Sequence, residues 1–125
     1  MRTSKIVGAG IAPMAAAVIA SGFDIQNNVT ATGTTQSGAA AAYADTVIVT
    51  TTPASSGVVM SGPAYAPGDD QFFQNAGANA LLIYPPVGSQ INALGVNAGF
   101  SVAAAASVIV KCAGVIGGVQ QFYTK

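Results

Sequence analysis

From Phe23 onward, clusters of Gly, Pro, Asn and Ser break the chain at intervals of roughly 8–12 residues, with short β-branched or aromatic runs between them. This rhythm constrains the fold more than any other feature. It is the spacing of short strands joined by turns, and it predicts an all-β protein: an antiparallel β-sandwich, a jelly-roll-like fold or a small barrel. Strands are expected over 28–35, 46–52, 57–60, 71–75, 80–84, 100–103, 107–112 and 119–123. Two runs, Val47-Ile48-Val49 and Val108-Ile109-Val110, are apolar without alternation, which suits strands covered on both faces. The stretch 37–44 (SGAAAAYA) is helical on propensity. The glycine at its start and the Val/Thr run after it favour strand or loop instead. Pro53, Pro63 and Pro67 make 52–70 the least regular part, and Gly68-Asp69 forms a turn leading into Phe72-Phe73.

The chain has 125 residues, enough for one domain with its own core. The division expected is an N-terminal arm over 1–22 and a β domain over 23–125. Charge is scarce. Asp24, Asp45, Asp69 and Asp70 balance Arg2, Lys5, Lys111 and Lys125, and there is no Glu, His or Trp. Binding to nucleic acid needs several cations on one face, so no nucleic-acid partner is expected. A net charge of zero also removes the usual electrostatic barrier to self-association. With 51% hydrophobic residues and a mean hydropathy of +0.54, much of the surface is expected to be buried against other subunits.

Chemistry is equally thin. Without His or Glu, and without a metal-ligand spacing or a phosphate loop with its Lys, the chain reads as non-enzymatic and free of cofactors and metals. Cys112 is the one cysteine and lies in an apolar run, as a small buried hydrophobe does. Lys111 beside it would point to the opposite face of a strand and could not activate it. Asp69 and Asp70 lack the alternating acids of a Ca²⁺ loop, and neighbours on an extended strand point apart, so a solvated turn accounts for them.

The first 22 residues, MRTSKIVGAGIAPMAAAVIASG, admit several readings. Arg2 and Lys5 ahead of the apolar run 6–20, with Val18-Ile19-Ala20, have the form of a secretory signal. The run is shorter than the ~20 residues of a membrane span, and Pro13 interrupts it, so no span is expected. Gly8-Ala9-Gly10 imitates a dinucleotide-binding turn, but Pro13 stands in the third glycine position and no acid ends the second strand. A membrane-surface helix would need a basic face that is missing. The reading favoured is an arm with a short helix that starts after Pro13 and ends at Gly22. Its apolar side chains, Ile6, Val7, Ile11, Met14, Val18 and Ile19, are the expected contacts with a neighbouring subunit. Tyr84 and Pro85 are expected inside the subunit or at its oligomer contact.

The stretch Asn75-Ala76-Gly77-Ala78-Asn79-Ala80-Leu81-Leu82-Ile83-Tyr84-Pro85-Pro86 resembles a family of small β-rich structural proteins of tailed bacteriophages. The likeness continues through Gly88-Ser89-Gln90-Ile91-Asn92-Ala93-Leu94, Asn97-Ala98-Gly99-Phe100-Ser101-Val102-Ala103-Ala104 and Ser107-Val108-Ile109-Val110-Lys111-Cys112. Upstream, Val29-Thr30-Ala31-Thr32-Gly33-Thr34-Thr35-Gln36 is similar to the family's opening strand, and Pro67-Gly68-Asp69 to its lead-in to the central strand. The resemblance implies a capsid decoration or cement protein on the outer surface of a phage head, a homotrimer whose partner is the major capsid protein. It leaves open a tail, head-fibre or adsorption component, and a secreted bacterial surface β domain. Residues 1–22 depart from the family, which suggests that the arm is an attachment device.

Overall fold

A computed structural model describes residues 25–62 and 64–125. The expectations for the arm, including its helix and Ile6, Val7, Ile11, Met14, Val18 and Ile19, lie outside the described residues.

Among the described residues, ten strands form two sheets. They are β1 (Ile25–Thr30), β2 (Ala40–Ala42), β3 (Thr46–Thr51), β4 (Gly57–Met60), β5 (Asp70–Asn75), β6 (Leu81–Tyr84), β7 (Gln90–Ile91), β8 (Phe100–Val102), β9 (Ser107–Ile116) and β10 (Val119–Thr124). A 3₁₀ turn, Gln36–Gly38, precedes β2. The six-stranded sheet has the order β1-β3-β5-β9-β10-β7, and the four-stranded sheet β2-β4-β6-β8.

The all-β expectation holds, but the sheets are mixed and not antiparallel. Among the described residues, five strand pairs are parallel (β1–β3, β3–β5, β2–β4, β4–β6 and β7–β10) and three antiparallel (β5–β9, β6–β8 and β9–β10). The cause is the route of the chain. From β1 to β9 each strand lies in the sheet opposite to the strand before it, and along β1-β3-β5 and β2-β4-β6 neighbours are one full circuit apart and run the same way. Turn residues at short intervals predict antiparallel neighbours only when successive strands share a sheet. Among the described residues, one tight hairpin occurs, between β9 and β10. Gly117 (φ 62°) and Gly118 (φ 82°) supply the two left-handed residues that its two-residue loop requires.

Inward side chains of both sheets meet in a single core. The six-stranded sheet contributes Val47, Val49, Phe73, Val108, Val110, Cys112 and Phe122, and the four-stranded sheet Ala42, Val58, Met60, Leu81, Ile83 and Val102. Strict alternation of buried with half-buried or exposed positions along β5 and through most of β9 shows why these strands place one face inside. Cys112 is buried and not in a disulfide, and Lys111 is exposed on the opposite face, as the strand period requires.

A candidate interaction surface

The strongest local organisation in the molecule is polar and lies where the chain crosses from β5 to β6. Asn75 is fully buried. Its amide nitrogen donates to the carbonyl oxygens of Asn79 (2.9 Å), Val102 (3.0 Å) and Ala103 (3.2 Å), and its Oδ1 accepts from the Gly77 N–H (3.0 Å). Thr52, at the end of β3, closes the turn from the other side. Its hydroxyl donates to the Asn79 carbonyl (3.0 Å) and accepts from the Asn79 N–H (3.0 Å), while Asn79 Nδ2 donates to the Thr52 carbonyl (2.8 Å). The sequence marks this stretch as a turn. In the structure it is a lock joining β3, β5 and the loop after β8.

Gly77 is required by that lock. A Cβ at this position would lie 2.1 Å from Thr52 Oγ1 and 2.8 Å from Thr52 Cβ and Cγ2. Gly77→Ala should therefore push Thr52 aside, break its bonds to Asn79 and cost about 2–3 kcal/mol, as overpacking does. Urea unfolding measures this. In the double variant Gly77→Ala/Thr52→Ala the two costs should not add, because the clash at Gly77 breaks the same Thr52–Asn79 bonds that Thr52→Ala removes.

Tyr84 and Pro85 belong to the interior of the subunit. Tyr84 is 7% exposed, its hydroxyl donates to the Thr34 carbonyl (3.2 Å), and its ring fills the space that Gly57 and Gly99 leave open. Pro85 is fully buried, and its carbonyl accepts from Gln36 Nε2 (2.7 Å). Asp69 and Asp70 are exposed. Asp69 caps a turn by accepting from the Ala66 N–H (2.8 Å), and Asp70 opens β5.

Among the described residues, no three His, Cys, Asp or Glu gather as a metal-binding group, and no helix is long and apolar enough to cross a membrane. An open, mainly apolar groove of about 510 Å³ runs between Met60, Tyr65, Pro86, Val87 and Gln120. Tyr65 is a structural member of it. Its hydroxyl donates to Gln71 Oε1 (3.0 Å) and accepts from the Gly62 N–H (3.2 Å), and its ring meets Phe122 edge-on at 5.4 Å. Burial raises its pKa above the ordinary tyrosine value.

Among the described residues, Tyr43, Val87, Leu94 and Val96 are exposed apolar side chains in loops, and two further groups lie on the strands. The first is the end of the β9–β10 hairpin. The ladder between β5 and β9 stops at Lys111, and that between β7 and β10 covers only Gln121 and Phe122. Beyond these points the hairpin carries Val115 (68% exposed) and Ile116 (58%), and no charge falls between Cys112 and Tyr123. The sequence carries no signal for this surface, because the strand expected there ends at Cys112. A β-bulge at Ala113-Gly114, with Gly114 at φ 99° against Pro67, turns the hairpin at the point where it leaves β5.

The second surface is the outer face of the six-stranded sheet. Register places Ile25, Thr46, Phe72 and Ile109 in one row across β1, β3, β5 and β9. Ile48 lies in the next row on one side and Tyr123 on the other, beside the opposed charges Asp70 and Lys111. Ile48, Phe72 and Ile109 are half-buried, and Ile25 and Tyr123 are exposed.

Strand addition at a sheet edge is disfavoured. Three of the four edge strands, β2, β7 and β8, have two or three residues, and the fourth, β1, is interrupted by an irregularity at Asn28 (φ 56°). Contact with a partner must go through side-chain surfaces. No family model, curated protein or solved structure matches the chain.

Proposed function

We propose that this is a virion structural protein, a capsid decoration or cement protein that sits on the outer surface of a phage head as a homotrimer and binds the major capsid protein. On this reading the two sheets form a sandwich that serves only as a scaffold, without catalysis or cofactor. The observation that supports it is the uncharged hairpin end with Val115 and Ile116 in solvent. Such a surface gains free energy only when another protein covers it. At about 25 cal/mol per Å² of apolar area, a few hundred Å² would contribute on the order of 5–10 kcal/mol before the losses of association. Symmetry repeats that contact at every site on a shell. The resemblance over most of residues 28–113 is what points this reading to a phage head.

Mass spectrometry of purified particles tests the assignment. A cement protein is present on the order of hundreds of copies, as shell symmetry demands. A dozen copies or fewer would favour a tail or fibre component instead, and absence from particles would favour a bacterial surface domain. The double variant Val115→Ser/Ile116→Ser should keep its circular dichroism spectrum and thermal midpoint yet lose binding to particles stripped of the native protein. Unchanged occupancy would remove the hairpin from the contact.

A further inference from the structure

We propose that the β9–β10 hairpin end and the groove beside it are one binding site, whose occupant is a short, uncharged, apolar segment of the partner protein that enters beneath the hairpin. That the partner is a capsid protein rests on the virion reading above. The site itself does not.

Strand pairing joins the two features. Val115 lies directly opposite Gln120, so both side chains leave the hairpin on the same face, with Cβ atoms about 5 Å apart. That face is the inner one. Phe122, two residues beyond Gln120, fills the core, and Gln120 Nε2 donates to the Tyr65 carbonyl (2.9 Å) and reaches Cys112 Sγ (3.6 Å). Gln120 also lines the groove, together with Met60, Tyr65, Pro86 and Val87. Val115 therefore extends one wall of the groove. On the inner face yet 68% exposed, it marks where the core stops and the groove begins. Ile116 pairs with Val119 and points to the other face.

The walls set the chemistry of the occupant. Among the described residues none that lines the groove is charged, and no charge falls between Cys112 and Tyr123. An ion on the occupant would lose its water without gaining a counter-ion, so the segment must be uncharged. Beside the apolar side chains, Gln36, Ser61 and Gln120 contribute amides and a hydroxyl. These suit a peptide backbone and have nothing to offer a hydrocarbon chain. A volume of about 510 Å³ takes a few side chains and not a domain. Val115 already forms a wall of its own chain's groove, so it is not free to fill that of a second copy. The walls are also set before binding. Tyr65 is held by Gln71, Gly62 and Phe122, and Gln120 Oε1 accepts from the Ser89 hydroxyl (3.3 Å), so little ordering cost falls on the site.

Nile red, an uncharged apolar dye, probes the site without any particle. Its emission should rise on binding the full-length protein. Val115→Ser and Val87→Ser should each weaken that binding about tenfold, while Ile116→Ser stays within about twofold of the native chain. All three side chains are exposed, so the variants should keep the native circular dichroism spectrum. Particles stripped of the native protein should displace the dye and should rank the three variants in the same order. If Ile116→Ser were as damaging as Val115→Ser, or Val87→Ser had no effect, hairpin and groove would be separate surfaces and the proposal would be overturned. Dye binding that weakens as protein concentration rises would give the groove to a second copy and overturn the assigned occupant. So would particles that bind the native chain and leave the dye in place. Particles that take up no native chain would overturn the virion reading instead, and the dye titration tells the two failures apart.

Discussion

Asn75→Ala is expected to be the most damaging single substitution in the chain, lowering stability by about 4–6 kcal/mol. The side chain is fully buried and takes part in four hydrogen bonds, so truncation strands the N–H of Gly77 and takes a donor from the carbonyls of Asn79, Val102 and Ala103, of which Asn79 keeps the Thr52 hydroxyl and Ala103 the Ala106 N–H. Each buried group left without a partner costs about 1–3 kcal/mol. Some of these groups will find water or relax towards neighbours, which is why the sum stays below the maximum. Against the ~5–15 kcal/mol that holds a typical domain, such a loss leaves a large unfolded fraction at room temperature. Chemical unfolding of Asn75→Ala checks the size. A cost below 1 kcal/mol would mean that the turn holds its shape without the amide and that the lock is not structural.

Tyr84→Ala should cost about 3–5 kcal/mol, the range for truncating a large aromatic in a core. Its ring is held between the backbones of Gly57 and Gly99, where nothing can move in to fill the space, and the bond from its hydroxyl to Thr34 is lost as well. Tyr84→Phe separates the two contributions and should cost about 0.5–1.5 kcal/mol, the net worth of one hydrogen bond. If Tyr84→Ala changed the denaturation midpoint by less than half a kcal/mol in equivalent free energy, the ring would be a surface contact and the packing described above would be wrong.

Much of the strand content is legible in the sequence, because β-branched runs between turn residues carry their own signal. The strand expected over 57–60 coincides with β4 (Gly57–Met60), and those expected at 46–52 and 119–123 differ from β3 and β10 by one residue. β2 is less legible. Three alanines hold a strand only by pairing with Val58, Val59 and Met60, a tertiary effect that overrides their helical propensity. β7 has two residues, too few for any period to show. The parallel order is invisible for a deeper reason. Nothing local to Thr46–Thr51 records that its neighbours are one circuit earlier and one circuit later.

The site was harder to read than the fold. Asn75 and Asn79 look like turn formers, and the turn is there, but the buried amide that reaches Val102 and Ala103 depends on β8 arriving beside it. Tyr84 and Pro85 announce themselves as packing residues through their type and through the rigid break that follows. Val115 and Ile116 do not, since an apolar pair next to two glycines is as well suited to a buried turn as to an exposed one.

The alternation of strands between sheets also determines how the molecule must be made. Phe73 at the centre of the larger sheet pairs with Val47 on one side and with Val108 on the other, and neither partner is near it along the chain. No sheet can be completed by zipping up a local hairpin, apart from β9 with β10. Closing these circuits costs chain entropy before any of the ladders can repay it, which places folding among the slow, non-local topologies, in the range of milliseconds to seconds. During that interval the apolar strands are exposed. With almost no charge to keep copies apart, synthesis at low concentration of free chains, or a ready surface on which to settle, becomes part of what this sequence needs from its surroundings.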